Sequence, residues 1–104
     1  MPTTFEVSTT PEGVVRVAIQ GDLDSVTTRG VRDEIQALLK RKPQHLEVDL
    51  SQLHTIDSSG VGMLVSLYKG MRAQGGQLTI TGVRDQPLAI IRLLKLDRAL
   101  LGNS

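Results

Sequence analysis

The chain has no cysteine and no tryptophan, and among its 104 residues stand a single tyrosine and a single phenylalanine. Without thiols it forms neither disulfides nor thiolate metal sites, and thiol nucleophiles are excluded with them. So few aromatic rings argue against the stacking platforms on which single-strand nucleic-acid binders rely. An excess of one charge is missing too: 12 lysines and arginines face 11 acids, interspersed, for a formal net charge of +1. That balance offers no basic face to nucleic acid or to a membrane surface. No apolar run nears the roughly 20 residues that span a bilayer. The opening residues, MPTTFEVSTTPEG, lack the basic segment and apolar stretch of a secretory signal. The expectation is one domain over residues 1–104, with room for one core, soluble and cytoplasmic, with no nucleic-acid partner and no direct membrane insertion.

What is present alternates between two periods. Phe5 and Val7 predict a short first strand, TTPEG a turn, and residues 14–20 a second strand with Val15, Val17 and Ile19 on one face. Behind GDLDS, Val31, Ile35, Leu38 and Leu39 recur at helical spacing, with Asp24 or Ser25 available as cap and a stop near RKP. Residues 45–50, HLEVDL, set Leu46, Val48 and Leu50 against polar alternates. Val61, Leu64, Val65, Tyr68 and Met71 predict a second helix ending at QGG, and QLTIT, residues 77–81, another strand. Asp85 is expected to cap a last helix with Pro87 in its first turn and Leu88, Ile91 and Leu94 inward. The order ββαβαβα implies an α/β domain with a mixed sheet. Right-handed crossovers make three of its strands parallel and put the helices on one face, leaving the other to water. Met63, Leu67 and Gly70 widen the apolar arc of the second helix beyond what one sheet face needs, so either a neighbouring helix or a partner covers the excess.

TIDSSGVG, residues 55–62, falls at the turn from the third strand into the second helix. Asp57 or Ser58 can cap that helix. Two glycines in its first turns, each worth roughly 1 kcal/mol of lost helix propensity against alanine, require something to come close: a second polypeptide or an anion. On a helical wheel Gly62 lies away from Val61 and Leu64, facing solvent or partner. Hydrolysis by Ser58 or Ser59 would need His45, expected on the outer face of the sheet, or His54, and G-x-S-x-G is absent. A P-loop is disfavoured because GVG is not followed by Lys and Ser or Thr. Asp22, Asp24, Asp49 and Asp57 could meet around a metal, but loop acids are more often solvated caps. The expectation is no catalytic residue, no metal and no cofactor. A serine at an exposed helix start is suited instead to phosphorylation by a separate kinase, since the dianion would sit at the positive end of the helix dipole.

GDLD at 21–24, DLSQL at 49–53, IDSSGVG at 56–62 and GGQLTITGV at 75–83 together resemble the STAS domain, and within it the bacterial stand-alone anti-sigma factor antagonists, from about Phe5 to Leu96. The resemblance implies a switch. The unphosphorylated protein binds an anti-sigma factor that is also a serine kinase of the histidine-kinase-like ATPase fold, releasing the sigma factor. Phosphorylation ends the complex and a PP2C-type phosphatase reverses it. It implies Ser58 as phosphoacceptor, and Asp22, Asp24, Asp57, Ser59, Gly60, Gly62, Met63 and Ser66 as partner-binding residues. Family members usually continue past the third helix with another strand and a closing helix, whereas here LKLDRALLGNS follows, so those elements are either shortened or truncated. The alternative within the family is an accessory subunit that regulates the ATPase of a lipid or anion transporter. The intact D-S-S-G favours the switch.

Overall fold

Residues 3–101 are described by the structure, a computed structural model. Strands β1 (Thr4–Thr9) and β2 (Val15–Leu23) form the expected hairpin, with Phe5 opposite Ile19 and Val7 opposite Val17. Helix α1 (Ser25–Lys40) starts in a reciprocal cap. The Asp24 carboxylate accepts the amides of Val26 and Thr27 at 3.0 and 2.9 Å, and the Asp24 amide donates to Thr27 Oγ1 at 2.8 Å. The helix ends at Lys40 with Arg41 as its cap, two residues ahead of Pro43, which cannot continue the hydrogen-bond ladder. Then follow β3 (His45–Asp49), β4 (Leu53–Ile56), α2 (Ser58–Ala73), β5 (Gln77–Thr81), α3 (Asp85–Leu93) and α4 (Asp97–Leu101).

The sheet runs β1-β2-β3-β5, with β2 antiparallel to β1 and parallel to β3, and β3 parallel to β5. Its inner face carries Val15, Val17, Ile19, Leu46, Val48 and Ile80, which share one core with Ile35, Leu38, Leu64, Leu67, Met71, Ile91 and Leu100 from the helices. The outer face is polar. Arg16 pairs there with Glu47 at 3.3 Å and Asp49 at 3.8 Å, and His45 Nε2 lies 2.8 Å from Thr79 Oγ1. Alternation in three strands therefore divides the sheet into a dry and a wet face, as their sequences require.

Three expectations are corrected. The turn after β3 holds a fourth parallel strand: Asp49 Oδ1 accepts the Ser51 amide at 2.9 Å, which ends β3, and the chain resumes as β4 against the last residues of β2, Leu23 opposite Ile56. Four residues are too few to show a period, so the strand was hidden. Asp85 does not cap α3. It is the first helical residue, at φ +56°, while Arg84 occupies the cap position without a side-chain bond. Leu94 is 47 % exposed, because α3 stops at Leu93 and the inward stripe ends at Ile91. The wide apolar arc of α2 is covered by α1: Leu67 is fully buried, and the Gly70 backbone comes so close to Leu39 that a Cβ would stand 2.9 Å from its Cδ1. Beyond α3, the short α4 packs near β5 and buries Leu100.

Candidate functional site

Parallel strands deliver their following helices in the same direction, so α1 leaves the carboxyl end of β2 beside α2 leaving the carboxyl end of β4. Two helix N-termini thus open side by side, each capped by an aspartate. At α2 the Asp57 carboxylate accepts the Gly60 amide at 3.1 Å, and the Asp57 amide donates to the Leu23 carbonyl at 3.1 Å, tying the cap to β2. Ser58 and Ser59 follow as the first two residues of α2, both exposed. Asp22 lies at the seam between the strands, where its Oδ1 accepts the Thr55 hydroxyl at 2.7 Å. That hydrogen bond holds the Asp22 carboxyl below the usual carboxylate range, and the Thr27 amide does the same for Asp24. Both are anionic near neutrality, so the end that displays Ser58 is negative.

The two glycines part company. Gly60 is buried, and a Cβ on it would stand 2.6 Å from both Ile56 Cγ1 and the Leu23 carbonyl oxygen. The close approach at this position is made by the chain's own β2 and β4, which corrects the expectation that Gly60 accommodates a partner or an anion. Gly62 is exposed with nothing within 4 Å of its would-be Cβ. Ser59, Gly62, Met63 and Ser66 line one wall of a groove of about 530 Å³ whose other wall is α1, with Ser25, Thr28, Arg29, Arg32 and Gln36. Met63 is half-buried and Ser66 exposed.

The four acids weighed as metal ligands are not gathered. Asp49 faces the outer side of the sheet with Arg16, and among the described residues no three acids or histidines come together around a metal-sized space. His45 is likewise on the outer face, bonded to Thr79. His54 is exposed on β4.

Gln86 escaped the sequence reading. Its side-chain amide spans the open edge of β4, accepting the Ile56 amide at 2.9 Å and donating to the Ile56 carbonyl at 2.9 Å. This one side chain imitates a neighbouring strand just before Asp57 and Ser58. Only the pairing of β4 reveals that an edge there needs satisfying; no periodicity marks it. Gln86→Leu removes both bonds while keeping bulk, and leaves two strand groups unpaired. It is expected to cost about 1–3 kcal/mol in urea denaturation and to broaden the amide resonances of residues 56–60.

A mixed sheet covered on one face, with a strand leading through an aspartate cap into a serine-led helix, defines an α/β domain of the STAS type. A family model described as "Mlab, STAS domain" matches residues 7–102, and the chain belongs to this family. The anti-sigma F factor antagonist of Paenibacillus polymyxa is 33 % identical over 72 residues, 68 % of this chain and 62 % of that protein, so the match spans slightly less than two thirds of the relative. A crystal structure of an anti-sigma factor antagonist from Mycobacterium paratuberculosis superposes with TM-score 0.84 at 25 % identity, covering 99 % of this chain and 87 % of that one. The Bacillus cell fate determinant SpoIIAA in its phosphorylated form superposes with TM-score 0.74 at 17 % identity, covering 94 % and 89 %. The fold and family expected from the four motifs are those found.

Proposed function

We propose that this protein is a phosphorylation-controlled binding switch without catalytic activity of its own. Its unphosphorylated form binds an anti-sigma factor that is a serine kinase of the histidine-kinase-like ATPase fold, which sets a sigma factor free. The kinase transfers the γ-phosphoryl group of ATP to Ser58 Oγ, ADP departs, and the modified protein is released. A PP2C-type phosphatase regenerates the binding form. The observation that carries this reading is the exposed Ser58 at the first position of α2, on a surface also formed by the α1 cap. Asp22, Asp24, Asp57, Ser59, Gly62, Met63 and Ser66 surround it as the docking surface. The described relatives are anti-sigma factor antagonists, one of them characterised in a phosphorylated form, which supports the reading.

A phosphate on Ser58 does not strain the fold, because the dianion meets the positive end of the α2 dipole. It acts outward, adding bulk and negative charge beside Asp57 and Asp24 where the partner must sit. No helix among the described residues is long and apolar enough to cross a membrane. Incubation with the ATPase-fold serine kinase of the same genome and ATP is expected to add a single phosphate, located by mass spectrometry at Ser58 and absent in Ser58→Ala. Undiminished labelling of that variant overturns the acceptor assignment. Binding to a transporter ATPase with no labelling at all would favour the accessory-subunit alternative.

A further inference from the structure

The groove between α1 and α2 has a charge that the Ser58 reading does not use. Arg29 and Arg32 project into it from α1, and no carboxylate lines it. Among the described residues neither arginine has an ion-pair partner, although the acids of the chain nearly equal its bases in number. Beneath them the half-buried side chains of Leu39 and Met63 give the floor an apolar surface, over Ile35 and Leu67 of the core. The opposite wall is kept low at Gly62, where nothing within the chain explains the glycine and the helix gives up propensity to hold it.

We propose that this groove receives an acidic amphipathic helix of the partner protein, its carboxylates on Arg29 and Arg32 and its apolar side chains on the floor. The inference rests on the reading of this face as the docking surface and adds the chemistry of what docks. Both walls are helices, which bond their backbone groups internally beyond the first turn, so an occupant is held mainly by side chains, the helix-in-groove mode. Between both walls, from Ser59 to Leu67 along α2, the trough runs about 12 Å, room to seat roughly two turns of helix. No aromatic ring lines it and no glycine-rich loop opens it, so a nucleotide finds neither a stacking surface nor a phosphate cradle. The charges also set direction. Asp24 caps α1, and the two arginines follow it along the axis by about 8 and 12 Å, so the face changes sign from Ser58 into the groove. A partner that is basic at one end and acidic further along fits in one register only.

The test has two arms. Calorimetric titration of the serine kinase into wild type and into Arg29→Glu/Arg32→Glu is expected to show a loss of about 100-fold in affinity, with a loss of about 10-fold for Arg29→Gln/Arg32→Gln and a weakening of wild type by salt. Unfolding curves and amide spectra identify variants that keep the fold. Unchanged affinity in folded variants, while Ser58→Asp still breaks the complex, overturns the groove and leaves the switch standing. In the second arm, a four-turn amphipathic peptide with glutamates on its polar face is titrated into the labelled protein, beside its lysine counterpart, ATP and anionic phosphatidylglycerol vesicles. Shifts confined to Arg29, Arg32, Gly62 and Ser66 with the acidic peptide alone support the proposal even if no kinase binds, an outcome that would sink only the switch. Equal shifts with ATP or vesicles mark a general anion site, and absence of shifts marks no site; either overturns it.

Discussion

Ser58→Asp is expected to weaken binding of the kinase by at least about 100-fold while leaving the stability of the isolated domain within about 1 kcal/mol of wild type. The two effects separate because they act on different neighbours. Within the chain the new carboxylate stands at the first position of α2, where the helix dipole favours negative charge. Towards a partner it joins Asp57 and Asp24 on an exposed surface already negative, and a mismatched charge in a docked interface costs several kcal/mol. Calorimetric binding paired with thermal denaturation reads both quantities on one sample. Unchanged affinity, or a collapse of stability, contradicts the account.

Gly60→Ala is expected to destabilise the domain by about 2–3 kcal/mol, whereas Gly62→Ala two residues later stabilises it by up to about 1 kcal/mol. The same methyl group adds helix propensity at both positions, so the difference in sign comes from the surroundings. At Gly60 it would be driven to 2.6 Å from a backbone carbonyl of β2 and from the root of the Ile56 side chain, neither of which can swing aside. Relief requires α2 to lift from the β2–β4 seam, which carries the Asp57 cap with it. At Gly62 the methyl enters open groove. Gly62→Leu should therefore leave the isolated domain equally or more stable and still impair docking. Urea denaturation of these variants decides the point: a loss of stability at Gly62 or none at Gly60 would reverse the roles assigned to them.

Most of the architecture was legible because each major element carries its own period. Leu46, Val48 and Leu50 alternate, as Val31, Ile35 and Leu38 recur by turns, and burial follows both patterns closely. The caps of α1 and α2 were legible to within one residue, Asp24 or Ser25 and Asp57 or Ser58, for the same local reason, since a cap is made with amides two or three residues away, and the structure selects the aspartate in each case. Elements whose reason for existing lies elsewhere in the chain were not. Strand β4 exists because β2 extends past β3 and needs a neighbour, and Gln86 matters because β4 then presents an edge thirty residues distant. The exposure of Leu94 follows from where α3 happens to stop.

The order of the strands and helices other than β4 and α4, the wet and dry faces of the sheet, the family and the serine that opens α2 were determined by the sequence alone, through short-range periodicity and contiguous motifs. The tertiary structure alone decided what stands opposite each of those residues. It turned Gly60 towards the chain's own strands and left Gly62 open, placed α1 over the excess apolar arc of α2, and brought Arg29 and Arg32 to the groove beside Ser59 and Ser66. The physical reason is that a period fixes which face of an element is apolar, whereas the neighbour of that face depends on crossover and register, which join residues far apart in the chain.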